Sequence, residues 1–426
     1  MNQVAVVAVA LLIGTSSGAA EIGPADDLRA AISSLVPGDV LDLRGGTYAL
    51  NSSFRISPVG TAANPITIRS KPGERAHIRQ DNPNQNIVEV QNARYFVFDD
   101  VEFSGGSHGI RLMSSSDVTI SNCEIHDTGD VALSANSGGT YERLTIVRNH
   151  IHHTNGTGEG MYLGCNSNAC RVANSLIEGN YVHHTNGPTV EQGDGIELKE
   201  GSSGNVIRNN VVHDTNYPGI LTYSTVGNGP ANVIEGNFIF RTNDYAIQSA
   251  ADATIRNNIV LGTIGLQAHQ VGSPSNVRIV HNTVLSSGST IEVRNVSGSV
   301  LIANNAFYSQ SGSGIQLISG NLGLVTTIGN VANRGGQLAT DFVNGTYSGA
   351  PPLDLFPKAG SALIGAGSAA NVEAIDFNGT PRNGVADVGA YRYAAGGNPG
   401  WTLAAAFKQT SLPSSTPRAP SDLQVQ

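Results

Sequence analysis

One phrase recurs along this chain from about Val101 to Val331: an aliphatic residue, two variable positions, Asn, one variable position, an aliphatic residue, then a turn and a second short strand usually opened by Gly. It reads TIVRNHIHHT, LIEGNYVHHT, VIRNNVVHDT, VIEGNFIFRT, TIRNNIVLGT and RIVHNTVLSS. Its Asn column is Asn149, Asn180, Asn210, Asn237, Asn258, Asn282, Asn305 and Asn330, at spacings of 31, 30, 27, 21, 24, 23 and 25 residues. A unit this short cannot bury its own apolar face, so it must stack on its neighbours, and the chain is a solenoid. Period-two alternation and almost no helical periodicity select a right-handed parallel β-helix. Asn suits the inner corner because its amide can satisfy bent backbone and also bond the Asn one rung away.

In a solenoid, length counts rungs rather than domains, so 426 residues do not require several cores. The 51 Gly and only 13% charged residues fit a turn-dense β protein. A net charge of −9 argues against nucleic acid as a partner and leaves an acidic polymer open, because a bound cation can invert the field at one groove. Residues 1–20 read as a signal peptide: Val4 to Ile13 is apolar and GTSSGAA follows, although MNQ lacks the usual basic residue. The run is too short to span a bilayer, so a secreted or periplasmic protein with no membrane span is expected, and a monomer. Cys165 and Cys170 bracket NSNA and can pair after export; Cys123 falls in the Asn column and reads as a buried thiol.

The expected organisation has a solenoid over 21–340, with PADDLRAAISSL forming a short capping helix near 24–35 that covers its open end. A Gly- and Pro-punctuated extension over 341–394 lies along the last rungs, and 395–426 is a tail or linker.

Chemistry falls on the Gly-led strands. Aligning them places Met161, Ile196, Ile220, Ile247, Leu266 and Ile291 in one inward column, and alternation sends their neighbours outward. One outward column is Arg111, Ala132, Tyr162, Glu197, Leu221, Gln248, Gln267 and Glu292. The next is Met113, Ser134, Gly164, Lys199, Tyr223, Ala250, His269 and Arg294, a face able to line a groove for an extended polymer. The richest rung, EQGDGIELKEGSSG, crowds Asp194, Glu197, Lys199 and Glu200 together, and Glu159 occupies the position of Asp194 one rung earlier. Stacked carboxylates repel unless a cation separates them, so Glu159 and Asp194 are candidate Ca²⁺ ligands; the alternative is a solvated acidic edge balanced by Lys199. A Lys near a divalent cation, or partly desolvated, has its pKa lowered toward that of a general base. In a polyuronate, neutralising the carboxylate makes the neighbouring C–H acidic, and β-elimination follows. Lys199 is then the base and Tyr223 the acid or hydroxyl orienter, with Tyr162, Glu197, His269 and Arg294 binding substrate.

The phrases DLRAAISSLVPGDVLDLRGGTY, NPITIRSKPGE and YFVFDDVEFSGG resemble the pectate-lyase-like parallel β-helix proteins, and within them polysaccharide lyase family 6, the alginate lyase and chondroitinase B group. The likeness extends weakly through GDGIELKEGSSGNVIRNN to about Phe238. It implies a secreted lyase with a base Lys at Lys199 and a calcium ligand at Asp194. A second acidic ligand would fall on Gln192 and a catalytic Arg on Tyr223, and here this chain departs from the family.

Other readings stay open: a glycoside hydrolase drawing on Glu159, Asp194 and Glu197, a uronate C5-epimerase, or a non-catalytic carbohydrate-binding surface protein. His126, His152, His183 and His213, with Asp127, His153, His184 and Asp214 beside them, read as a stacked side-chain ladder or as a metal site. The ladder is the simpler reading, because stacking favours identical residues in successive rungs. DFNGTPRNGVADVG lacks EF-hand spacing and reads as turns.

Overall fold

The computed structural model describes residues 20–410, except Ser313, Ser348 and Ala350; the expected signal peptide lies outside these residues save for Ala20. Three parallel sheets of 13, 11 and 11 strands run the length of a β-solenoid, and each rung contributes one strand to each sheet. In one rung, Thr145–Val147 belongs to the first sheet, His150–Thr154 to the second and Met161–Leu163 to the third. Alternation within each strand sends one set of side chains into the tube. Ile110, Leu133, Met161, Ile196, Ile220, Ile247, Ile264 and Ile291 are all fully buried, and each contributes about 1.5–3 kcal/mol of hydrophobic transfer.

The corner between the first and second sheets is the Asn ladder. Asn180 shows the unit: its Nδ2 donates to Ile146 O at 2.9 Å and to Asn210 Oδ1 at 2.9 Å. Its Oδ1 accepts from Asn149 N at 2.9 Å and Nδ2 at 3.0 Å. The ladder continues to Asn330, and Cys123 stands at its head, donating its backbone N–H to Asn149. Burial pushes the Cys123 thiol up to about 12, so it is an inert filler. A second, shorter polar column that the repeat phrase does not reveal runs through Ser175, Asn205 and Asn232.

The N-terminal end is closed by the helix Leu28–Ser33, capped by Asp27 and burying Leu28 and Ile32. Cys165 and Cys170 are joined by a disulfide. The C-terminal extension covers more than the last rungs. It lies on the outward face of the second sheet, where Phe238, Phe240, Leu261, Leu285 and Tyr308 pack with Phe342, Leu355, Phe377, Tyr391 and Leu403. Residues 395–410 are not a tail: Leu403 pairs with Leu353, and buried Lys408 donates to Asn209, Gly236 and Phe377. The Ser- and Pro-rich composition hid this because the contacts are made by isolated residues without a period. Among the described residues, no helix is long and apolar enough to cross a membrane.

Candidate active site

The Gly that opens several third-sheet strands, Gly160, Gly195 and Gly219 among them, fixes what stands beside it. A Cβ on Gly195 would lie 2.4 Å from both Gly219 O and Val212 Cγ1, so only Gly lets this turn seat against the next rung. Gly160 N donates to Asp194 O at 2.8 Å, and Met161 pairs with Ile196. That register stacks Glu159 on Asp194, as the sequence alignment expects. Glu159, Asp194 and Glu197 each offer a carboxylate oxygen, and all three oxygens lie within 4.8 Å of one another. All three residues are buried.

The second half of the site is a lysine between two tyrosines. Lys199 Nζ donates to Glu197 Oε1 at 2.7 Å and to Tyr223 Oη at 3.2 Å, and Tyr223 donates to the same carboxylate oxygen at 3.1 Å. The ammonium lies 4.8 Å from the Tyr162 ring centre and 4.5 Å from that of Tyr223. His269 stacks obliquely on Tyr223, with ring centres 4.9 Å apart.

The electrostatics are strained. Burial, then the charges of Glu197 and Glu159, raise Asp194 well above the ordinary carboxylate range. Burial likewise raises Glu159 and Glu197, the latter against the opposing pull of Lys199. One expectation is corrected here. Burial alone would lower Lys199, but the Glu197 carboxylate outweighs it, so the lysine is raised rather than lowered. Tyr223 is also raised, by burial and then by Glu197 and Asp194, and stays a protonated phenol.

Glu159 Oε1, Asp194 Oδ1, Glu197 Oε2 and both oxygens of Glu200 are buried without a hydrogen-bond partner. Unmet buried acceptors each cost about 1–3 kcal/mol, and a charged one costs more, so such a concentration marks a site that binds something. Oxygens held ~2.4 Å from a Ca²⁺ lie at most ~4.8 Å apart, and the observed spacing fits. The donor set is therefore chemically suited to Ca²⁺. Glu197 belongs to this acidic cluster, and Glu200, crowded into the same rung, is a fully buried carboxylate beside it.

Two outward columns need a two-residue shift. Tyr162 has Ser134, not Ala132, on one side, and Gln248 is followed by Gly265, not Gln267. Gln267 therefore takes the column place given to His269, and Ile264 the inward place given to Leu266. His269 still reaches Tyr223 from the following loop. Arg294 does not join the cluster: it stands four rungs from Lys199, ~19 Å at the usual strand spacing. There it pairs with Glu292 at 2.9 Å.

A tube of three stacked parallel sheets is the architecture of a right-handed β-helix family. The sequence model described as Pel9A-like, right handed beta helix region matches residues 13–254, more than half of the chain, and the chain belongs to this family. A model of the periplasmic copper-binding protein NosD matches residues 185–330. Pectate lyase PEL9 of Emericella nidulans is 27% identical over 200 residues, which is 43% of this chain and 41% of that enzyme. The crystal structure of pectate lyase Pel9A superposes with a TM-score of 0.56 at 16% identity, covering 88% of this chain and 96% of that one. An alginate lyase from Paenibacillus sp. str. FPU-7 is more distant, with a TM-score of 0.48 at 22% identity over 69% of this chain and 96% of that one. The family shown is thus Pel9A-like, where the sequence phrases had suggested polysaccharide lyase family 6.

Proposed function

We propose that this protein is an extracytoplasmic polysaccharide lyase that cleaves a uronate polymer by β-elimination. The observation that carries the reading is the buried group of three carboxylates with unpaired oxygens, directly beside a lysine and a phenol. Pectate takes precedence over alginate as the candidate polymer, because the relatives matched by family and by sequence are pectate lyases.

Glu159, Asp194 and Glu197 would hold Ca²⁺, which when bound neutralises the substrate carboxylate and so acidifies the adjacent C–H. Lys199, once free of its proton, takes the hydrogen from C5 of the uronate. The C–H electrons form the C4–C5 double bond as the C4–O bond breaks. The departing oxygen takes a proton from Tyr223, which burial keeps in its protonated phenol form. Engaging Glu197 elsewhere removes the interaction that holds Lys199 protonated.

Access requires a moving part, since the Lys199 side chain is 4% exposed. Tyr162 is the gate: its ring centre lies 4.8 Å from the ammonium, and its hydroxyl donates to Asn166 at 3.2 Å on an exposed loop. An inverting hydrolase is disfavoured because oxygens of the three carboxylates lie within 4.8 Å of one another, closer than the ~6.5–9.5 Å of an inverting pair.

The test is incubation with pectate, alginate and chondroitin, with and without chelator. New ultraviolet absorbance from the unsaturated product, lost on chelation, supports the lyase. Reducing ends without absorbance identify a hydrolase, altered uronate stereochemistry without cleavage an epimerase, and binding without turnover a carbohydrate-binding protein.

A further inference from the structure

The outward face of the second sheet has two halves. Its later rungs lie beneath the C-terminal extension, while its earlier rungs carry histidines in adjacent columns. His126, His152, His183 and His213 stack with ring centres 5.1, 5.1 and 5.0 Å apart and nearly parallel. Stacking alone explains that column. It does not explain the neighbouring one, where Glu124 precedes His150 in register.

Glu124 Oε1 lies 3.3 Å from His150 Nδ1 and 3.2 Å from His152 Nε2, so two rings on one strand converge on a single carboxylate oxygen of the next. The other oxygen of Glu124 accepts from Arg75 at 3.2 Å, which leaves Oε1 turned toward the rings. The far nitrogens are also partnered: His150 Nε2 with His183 Nε2 at 2.8 Å, and His152 Nδ1 with His153 Nδ1 at 2.7 Å. Ligating histidines are oriented in this way by a hydrogen bond at the second ring nitrogen, which fixes the tautomer and leaves the first nitrogen's lone pair directed inward.

We propose that Glu124, His150 and His152 form a binding site for a divalent transition-metal ion of the Zn²⁺ or Co²⁺ type, bridging two rungs on a face separate from the acidic site. Around an ion with bonds of about 2.0–2.2 Å, tetrahedrally placed donors lie about 3.3 Å apart, and both oxygen-to-nitrogen separations match. Two imidazoles and one carboxylate select such an ion over Ca²⁺, which prefers an all-oxygen set. The three side chains are 31%, 29% and 13% exposed, so an ion can enter and a fourth position remains open to water.

The test uses the full chain without a histidine tag, stripped with chelator and then titrated with Co²⁺ in excess Ca²⁺, so that the acidic site is engaged. One equivalent of Co²⁺ with the visible absorption of a nitrogen-ligated ion is expected. Glu124→Gln and His152→Gln, each folded by circular dichroism, should weaken uptake at least tenfold. Zn²⁺ should displace the Co²⁺ spectrum in the wild type. No uptake by the wild type, or an unchanged spectrum in Glu124→Gln, overturns the proposal. Glu124→Gln keeps the shape of the side chain, so the test survives even where a histidine variant fails to fold.

Discussion

The Asn corner and the acidic site both gather buried polar side chains on stacked rungs, and they have opposite hydrogen-bond states. In the corner every described amide from Asn149 to Asn305 gives and receives its bonds within the ladder. In the acidic site, Glu159, Asp194, Glu197 and Glu200 keep oxygens with no partner at all. Burial of polar groups is thus no guide to role by itself. Satisfied groups hold the tube together, and unsatisfied ones are kept at a cost for a ligand. The contrast can be attacked from both sides.

The largest expected effect is on catalysis. Lys199→Ala should remain folded by circular dichroism and lose ~10²- to 10⁴-fold in turnover, the usual range for a general base. If Lys199 only balanced Glu197 structurally, activity on whichever polyuronate the wild type cleaves would persist, and stability would move instead.

On the structural side, Asn210→Ala strikes mid-ladder. It strips the acceptor from Asn180 N and Nδ2, both at 2.9 Å, and removes donations to Ile177 O and Asn237 Oδ1, both at 3.0 Å. Leaving such groups unmet should cost about 3 kcal/mol or more, read as a lower urea midpoint. A loss below ~1 kcal/mol would show that water or backbone adjustment replaces the ladder readily.

Much of this contrast is legible in the sequence, and for a physical reason. Eight Asn residues at similar spacing can only be a ladder, and GDGIELKEG concentrates charge in a chain with little of it. What escapes is register within a face. A slip of two residues keeps side-chain parity, so Leu266 and Ile264 are equally good inward residues, and the pattern cannot choose between them. The same slip displaced His269, whereas Arg294 keeps its column and is remote from Lys199 only because four rungs separate them. Glu200 was read as charge balance because alternation describes strands, whereas it sits in the turn beyond Leu198. The Ser175–Asn205–Asn232 column was missed because its residue type changes from rung to rung, and the docking of residues 395–410 because it has no period.

The Asn corner has nothing to titrate, so acid should act at other buried groups, and His281 is the sharpest case. It lies beside Asn282 where the extension docks, fully buried, accepting from Asn304 Nδ2 at 3.2 Å. Burial first, then the Arg382 charge, lowers its pKa to about 3. The unfolded chain therefore binds this proton from about pH 6.5 downward while the folded chain refuses it. The stability contribution is complete above about pH 6.5 and is lost as pH falls toward 3, by roughly 2–4 kcal/mol. A folded His281→Gln variant should show a flatter decline of Tm between pH 6.5 and 4 than the wild type. Parallel declines would mean that the seam relaxes to admit the charge.

The smallest effect on the apo protein is the most discriminating. Asp194→Asn preserves shape, removes one of three mutually repelling carboxylates and sacrifices no hydrogen bond of Oδ1, which has none. In chelator its stability should therefore match the wild type or exceed it by up to ~1 kcal/mol. With saturating Ca²⁺ the wild type should gain about 2.7 kcal/mol at a hundredfold excess over Kd, seen as a rise in Tm, and the variant should gain far less. Should Asp194→Asn instead destabilise the calcium-free protein by more than ~2 kcal/mol, its oxygens would be structural after all. The acidic row would then be a second ladder, satisfied by water, and the difference between the two rows would lie in their solvation and not in their function.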